Sequence, residues 1–385
     1  MNQEYILRQS KIREQLVLEK MDACLLSTSV NILYANGSIF SGYYYIPVEG
    51  DALLFVKRPV GVKGEHVHYI RKPEQIPEIL KKWGIKAPKK LLLEGDEMGQ
   101  TEWTRLQACF GDSEVLNGTA AIRKVRSIKT DYEVSLIRAS AEAHVRAYKR
   151  IPEIYRPCMT DTAFAIEIEY VMRHEGNQGL FRTFGDMEAF MGSVLAGDNA
   201  EVASPYDFAL GGAGTPGNPI GASGHLLMPG NSIMIDMCGN FSGYLDDLSR
   251  TFSIGKLTDK AYKAHQVSID IQNRLREEMK EGAVCEDLYK LSLKMAEDAG
   301  LSDCYMGISQ QAKFVGHGVG LVINELPVLA IRSKEILQTN MTIALEPKFV
   351  IKGVGAVGVE DTYLVKKNDS ERLTMIDFDI IDLTK

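Results

Sequence analysis

The stretch Ser232-Ile-Met-Ile-Asp236-Met-Cys-Gly-Asn-Phe-Ser-Gly-Tyr-Leu-Asp-Asp247-Leu-Ser-Arg-Thr-Phe252 decides the fold. Alternating apolar residues on both sides of Asn240–Gly243 predict two antiparallel strands around a turn. A turn centred on Phe241-Ser242 places Asp236 directly opposite Asp247, with both side chains on one face of the ladder. Like charges so placed repel, and burying them uncompensated costs several kcal/mol. A bound cation removes that penalty. Asp246 is expected on the other face, because side chains alternate along a strand.

Working outward, a second hairpin repeats the pattern. Met341-Thr-Ile-Ala-Leu-Glu346-Pro-Lys-Phe-Val-Ile351 leads through a turn near Gly353 into Val354–Val365, and this register puts Glu346 opposite Glu360. His317 lies in Val315-Gly-His-Gly-Val-Gly-Leu321, where glycines permit close backbone approach. Each feature has an ordinary reading too: a carboxylate pair across a hairpin can be solvated surface, and a histidine among glycines a turn residue. The apolar flanks Ile233/Ile235 and Ile343/Leu345 favour core strands and hence a site. Asp236, Asp247, His317, Glu346 and Glu360 are the expected metal ligands. Four carboxylates and an imidazole suit a pair of divalent ions such as Mn, Co, Fe or Zn better than Ca or Mg, with manganese the first choice.

The rest of the chain frames these hairpins. Its 385 residues exceed one ordinary core, so two domains are expected, of ordinary globular composition (45% hydrophobic, 25% charged). Residues 1–129 carry 19 Lys/Arg against 15 Asp/Glu, a net +4, which leaves −11 of the total −7 for residues 130–385. An acidic second part suits cations better than nucleic acid. No apolar run is long enough to span a membrane, no leader pattern opens the chain, and six scattered cysteines lack zinc-type spacing. A cytoplasmic protein with reduced thiols is expected.

Helix periodicity and caps predict helices over about Glu4–Lys20, Glu74–Trp83, Thr130–Ile151, Thr160–His174, Thr258–Lys280 and Val284–Ala299, with early strands at Ala23–Leu26, Ala52–Val56 and Lys90–Leu93. The basic segment Ile122–Lys129 marks the boundary between a small α/β domain, 1–125, and an α+β domain, 130–385. The Gly/Pro-rich stretch Gly211–Gly224 reads as a loop.

Five ordered motifs now resemble those of the creatinase/aminopeptidase P metallopeptidase family, which includes prolidases and methionine aminopeptidases: Ile235-Asp236; Gly243-Tyr244-Leu-Asp-Asp247-Leu-Ser-Arg250-Thr-Phe252; Gly316-His317-Gly-Val-Gly320; Leu345-Glu346-Pro347; and Val359-Glu360-Asp361. Met21–Leu26 and Asn31–Tyr34 are similar to the creatinase-type N-terminal domain. The resemblance implies a "pita-bread" catalytic domain, with Asp236 on one ion, Asp247 and Glu360 bridging, and His317 and Glu346 on the other. It also implies Xaa-Pro amide hydrolysis by metal-activated water, with Glu346 moving the proton, and a homodimer acting on small peptides.

Two histidines that peptidase members place around the substrate are missing: their positions fall at Pro219 and Asn324. Asn324 keeps an NH2 donor, and His225, in the same loop as Pro219, is a candidate replacement; both join Glu346 as catalytic candidates. Three alternatives stay open: a hydrolase or lyase of another small polar substrate, reshaped through Gly211–Gly224 and Phe181-Arg182-Thr183-Phe184; a metal-binding homologue without catalysis; and a creatinase-like enzyme without metal. Arg250 and Tyr244, each three residues from Asp247, are expected to face away from the metals, Arg250 in a structural salt bridge.

Overall fold

The computed structural model describes residues 3–185, 191–206 and 208–385. The chain divides into two compact units, Met1–Arg126 and Ser127–Lys385.

In the first unit, strands β1 (Ala23–Leu26), β2 (Ser41–Pro47), β3 (Leu53–Arg58), β4 (Val67–Tyr69), β5 (Lys90–Leu93) and β6 (Glu114–Asn117) form one mixed sheet in the order β4-β3-β2-β1-β5-β6. The parallel pairings β1–β5 and β5–β6 need crossover connections, supplied by the helices Ile76–Lys82 and Gln100–Cys109 among others. Burial follows the apolar alternation: Leu25, Tyr45, Leu53, Phe55, Leu91 and Leu93 share one core. This is the α/β architecture expected for the segment, with β2, β4 and β6 added to the three expected strands.

The second unit contains β7 (Gly192–Ala196), β8 (Ser232–Asn240), β9 (Leu245–Ser253), β10 (Phe314–Gly318), β11 (Glu325–Ala330), β12 (Thr342–Leu345), β13 (Lys348–Ile351), β14 (Gly355–Gly358), β15 (Asp361–Val365), β16 (Ser370–Arg372) and β17 (Ile381–Asp382). They form sheets ordered β17-β9-β8-β7 and β11-β10-β12-β15-β16, plus the hairpin β13-β14. Helices Asp131–Lys149 and Asp161–His174 bury Tyr148, Phe164 and Ile168 against Ile233, Ile235 and Phe252. Helices Asp259–Glu278 and Cys285–Asp298 cover Ile343, Leu345 and Phe349. Thr130, Thr160 and Thr258 cap three of these helices through their side-chain oxygens, which is why the helix starts are legible in the sequence.

One register differs from expectation. The β8–β9 loop is Phe241–Tyr244, and Asp236 pairs with Ser249 while Asp247 pairs with Cys238. The turn sits one residue later than a Phe241-Ser242 centre. Ser140 Oγ accepts the amides of Phe241 and Ser242, and Asn240 Oδ1 accepts that of Gly243, where φ is +91°. Opposing residues therefore shift by two, which preserves the face: Asp236 and Asp247 are diagonal rather than direct neighbours, still on one side. The second hairpin has the expected register, with Leu345 opposite Asp361 and Lys348 opposite Gly358, so Glu346 and Glu360 meet between the flanking ladders.

Candidate metal centre

Backbone and hydroxyl bonds stitch the hairpins together at the carboxylates. The Glu360 amide donates to Ser249 O (3.1 Å), the Asp247 amide to Thr362 Oγ1 (2.8 Å), and Thr251 Oγ1 to Gly358 O (2.8 Å). β10 brings in His317, paired with Ala344 of β12. A side chain on either flanking glycine would collide with backbone: a Cβ on Gly316 would lie 2.4 Å from Ala344 O, and one on Gly318 2.2 Å from Leu326 O. The glycines thus allow β10 to lie close enough to its neighbours to deliver the imidazole.

All five expected ligands come together, in two overlapping groups: Asp247, His317 and Glu360, and Asp236, Glu346 and Glu360, each offering atoms within 4.8 Å of one another. In the first group, His317 Nδ1 is 3.0 Å from Gly318 O, so it carries the proton and Nε2 faces the acids. Nε2 lies 3.4 Å from Glu346 Oε1 and 3.8 Å from Asp247 Oδ2. Atoms bound at about 2.1 Å to one tetrahedral ion are roughly 3.4 Å apart, so this spacing suits ligands sharing an ion. Glu360 Oε1 is buried and has no hydrogen-bond partner, a polar atom that a cation would satisfy. The residues of this group fit a divalent metal.

The second group holds a residue that the ligand pattern did not single out. Lys348 is fully buried, and its Nζ donates at 2.8 Å to each of Asp236 Oδ2, Glu346 Oε2 and Glu360 Oε2. Glu360 Oε2 also accepts from Ser249 Oγ at 2.5 Å. The signal was present: Lys348 is the lone charge in the apolar strand after Pro347, two residues from Glu346 and hence on its face.

Electrostatics follow the crowding. Burial, then the neighbouring carboxylates Glu360 and Asp236, push the Asp247 carboxyl well above the usual range. Burial and Glu346 lift Glu360 to about 8. Burial also opposes ionisation of Glu346, but Lys348 and His317 outweigh it and hold that carboxyl at about 2. For His317, burial disfavours charge, yet the Glu346 hydrogen bond and charge raise it to about 9.

Asp246 points away, bonded to His144 Nδ1 at 2.8 Å. Arg250 Nη2 bonds Asp361 Oδ1 at 2.9 Å, and Tyr244 OH donates to Glu133 Oε1 at 2.8 Å; both face away from the acids as expected. Asn324 engages Phe184 at both ends of its amide, accepting from Phe184 N (2.7 Å) and donating to Phe184 O (2.8 Å). His225 is exposed and bonded to Ser223 Oγ at 2.6 Å. The Pro219 carbonyl accepts from Ser204 Oγ at 2.8 Å.

A paired-hairpin centre of acids and one histidine, preceded by a small mixed α/β unit, defines a metallohydrolase of the pita-bread class. Residues 135–367 match the sequence profile of Metallopeptidase family M24 and residues 8–128 that of the Creatinase/Prolidase N-terminal domain, and the chain belongs to the M24 family. Similar proteins include an uncharacterised peptidase of Bacillus subtilis, 25% identical over 92% of this chain and 94% of that protein, and a Xaa-Pro dipeptidase of Pyrococcus horikoshii, 25% identical over 96% of this chain and 97% of that protein. In fold, the chain is similar to an X-Pro aminopeptidase from Thermotoga maritima (TM-score 0.80, 22% identity, 97% of this chain and 99% of that one).

Proposed function

We infer that this chain is a metal-dependent peptidase that cleaves the amide bond of small Xaa-Pro peptides. The observation that carries this is the convergence of Asp236, Asp247, His317, Glu346 and Glu360 on one centre, with Asp247, Glu346 and Glu360 buried and the other two partly so, in a chain of the M24 family. Asp247, His317, Glu346 and Glu360 would hold the metal, which supplies an activated water and polarises the scissile carbonyl. Glu346, fixed between Lys348 and His317, is the group placed to take the proton from the attacking water and pass it to the leaving nitrogen. His317 keeps Nε2 on the centre through the Nδ1 bond to Gly318 O.

Phe181–Phe184 forms part of the substrate side in this reading. Asn324 clamps Phe184, and Ile323 N bonds Arg182 O at 2.8 Å. Phe181 packs on Cys238, Leu245, Val319 and Ile323. Asn324 therefore acts by positioning this segment. Among the described residues, Arg182 Nη1 is buried without a hydrogen-bond partner; its guanidinium suits the free carboxylate of a dipeptide. His225 remains a candidate only as an outer substrate contact.

Manganese is the metal assigned here, on the mixed carboxylate and imidazole donors. Six free cysteines support a reducing, cytoplasmic setting; no helix among the described residues is long and apolar enough to cross a membrane. Exposed Leu7, Val17 and Leu18 on the first helix support a homodimer. The test is hydrolysis of Xaa-Pro dipeptides and tripeptides by chelator-stripped protein reconstituted with Mn, Co, Fe or Zn, beside Asp247→Asn. Metal-dependent cleavage lost in the variant is expected; a fully loaded protein that leaves every peptide intact would sink the reading.

A further inference from the structure

The two groups of acids are not equivalent, because one already encloses a cation belonging to the chain. We propose that the Lys348 ammonium takes the place of one of the two metal ions, so that this protein binds a single divalent ion, held by Asp247, His317, Glu346 and Glu360. The inference rests on the metal-dependent reading above and concerns how many ions that centre takes.

The geometry is that of an ammonium site. An ammonium has three N–H donors, and Lys348 Nζ finds three carboxylate oxygens, one from each of Asp236, Glu346 and Glu360, all at 2.8 Å. That is hydrogen-bond length, where a divalent ion would need about 2.1 Å. An ion bound to these same oxygens would face the ammonium at short range in a buried setting, a like-charge contact with no water to screen it. The position of Lys348 is fixed from outside the centre. Its backbone is held in the β13–β14 ladder opposite Gly358, a Cβ on Gly358 would lie 3.0 Å from Lys348 Cα, and Met306 N donates to Lys348 O at 2.8 Å.

Glu346 divides its oxygens between two cations: Oε2 serves Lys348, while Oε1 faces His317 at 3.4 Å. Glu360 does likewise, with Oε2 on Lys348 and Ser249 and Oε1 buried and unpartnered. The oxygens not used by Lys348, together with Asp247 and His317, make one ligand set. In charge, four carboxylates are met by one ammonium and one divalent ion to within a single unit. Asp236, whose Oδ2 bonds Lys348, becomes an anchor for the lysine rather than a metal ligand.

The experiment counts ions. The chelator-stripped full-length chain and Lys348→Ala are loaded with Mn2+, excess ion is removed, and metal per chain is measured by elemental analysis and calorimetric titration. Electron paramagnetic resonance on the same samples distinguishes an isolated Mn2+ from an exchange-coupled pair. One isolated ion per wild-type chain, and a second, coupled ion in Lys348→Ala, are expected. A coupled pair in the wild-type protein overturns the proposal, as does a folded Lys348→Ala that still takes only one ion, or a wild-type chain that takes none. Should Lys348→Ala fail to fold, the wild-type stoichiometry and spectrum still decide. Peptide cleavage is assayed separately, so a peptidase holding two ions and a one-ion protein without peptidase activity are told apart.

Discussion

Arg250 carries a full charge at 1% exposure and spends it on the back of the metal centre. Its guanidinium donates to Asp361 Oδ1 (2.9 Å), to the carbonyls of Ser249 (2.7 Å), Asp377 (2.8 Å) and Ile376 (3.0 Å), and to Glu360 O (2.8 Å). The bond to Glu360 O fixes the backbone from which that proposed ligand projects. Removing one partner of a buried pair costs about 3–5 kcal/mol where nothing replaces it; Arg372 Nε (3.3 Å) and Thr374 Oγ1 (2.6 Å) also face Asp361, so the lower end of that range applies. Arg250→Ala is expected to lower the unfolding free energy by that amount in urea titration of the full chain, and to weaken Mn2+ binding. A loss below about 1 kcal/mol would show that Arg372 and Thr374 suffice to hold Asp361. On the opposite side, Arg182→Met is expected to raise KM for a free Xaa-Pro dipeptide while changing kcat less, and to leave an amidated dipeptide unaffected. Equal loss on both substrates would remove the guanidinium from carboxylate recognition.

At the scale of elements, the hairpins carried most of what could be read in advance. Faces were legible because side chains alternate along a strand, and the apolar flanks Ile233, Ile235, Ile343 and Leu345 that marked core strands are fully buried. Register was legible in the second hairpin, where Gly353 (φ +75°) marks the turn, and not in the first. There the turn is set by Ser140 Oγ, from a helix about a hundred residues upstream, and no local pattern reports such a contact. A two-residue shift conserves the face, so Asp236 and Asp247 were placed on one side of the ladder although their pairing was not read. Lys348 was missed for a different reason: a pattern of acids and histidine looks for groups that bind cations, and does not ask whether the chain supplies a cation itself. Helix starts were legible through their caps. Thr130 accepts from Glu133 N at 3.2 Å while Glu133 Oε2 accepts from Thr130 N at 2.9 Å, a reciprocal cap. Thr130→Ala is expected to lower stability by about 1 kcal/mol in denaturant titration, without altering the Mn2+ stoichiometry.

At the scale of the whole molecule, stability should respond to metal and to pH through different groups. A ligand that binds only the folded state adds about 2.7 kcal/mol at a hundred times its dissociation constant, so chelation should lower the melting temperature and Mn2+ restore it. The pH response can be followed away from the centre, at Glu371. Arg138 first, and then Lys366, outweigh partial burial and hold its carboxyl at about 2, and the Arg138 bond ties helix Asp131–Lys149 to β16. Because the folded-state value is depressed, the contribution is fully present above the ordinary carboxylate range, near 4.5, and disappears as pH falls from there towards 2. Side-chain exposures of 40% for Arg138 and 29% for Glu371 limit it to about 1 kcal/mol after solvent screening. Glu371→Gln is therefore expected to be less stable than the parent by about that much at pH 7, with the gap narrowing between pH 4.5 and pH 3 and shrinking in high salt. A gap that stays constant across that window would mean that the glutamine loses packing or hydrogen bonding rather than charge.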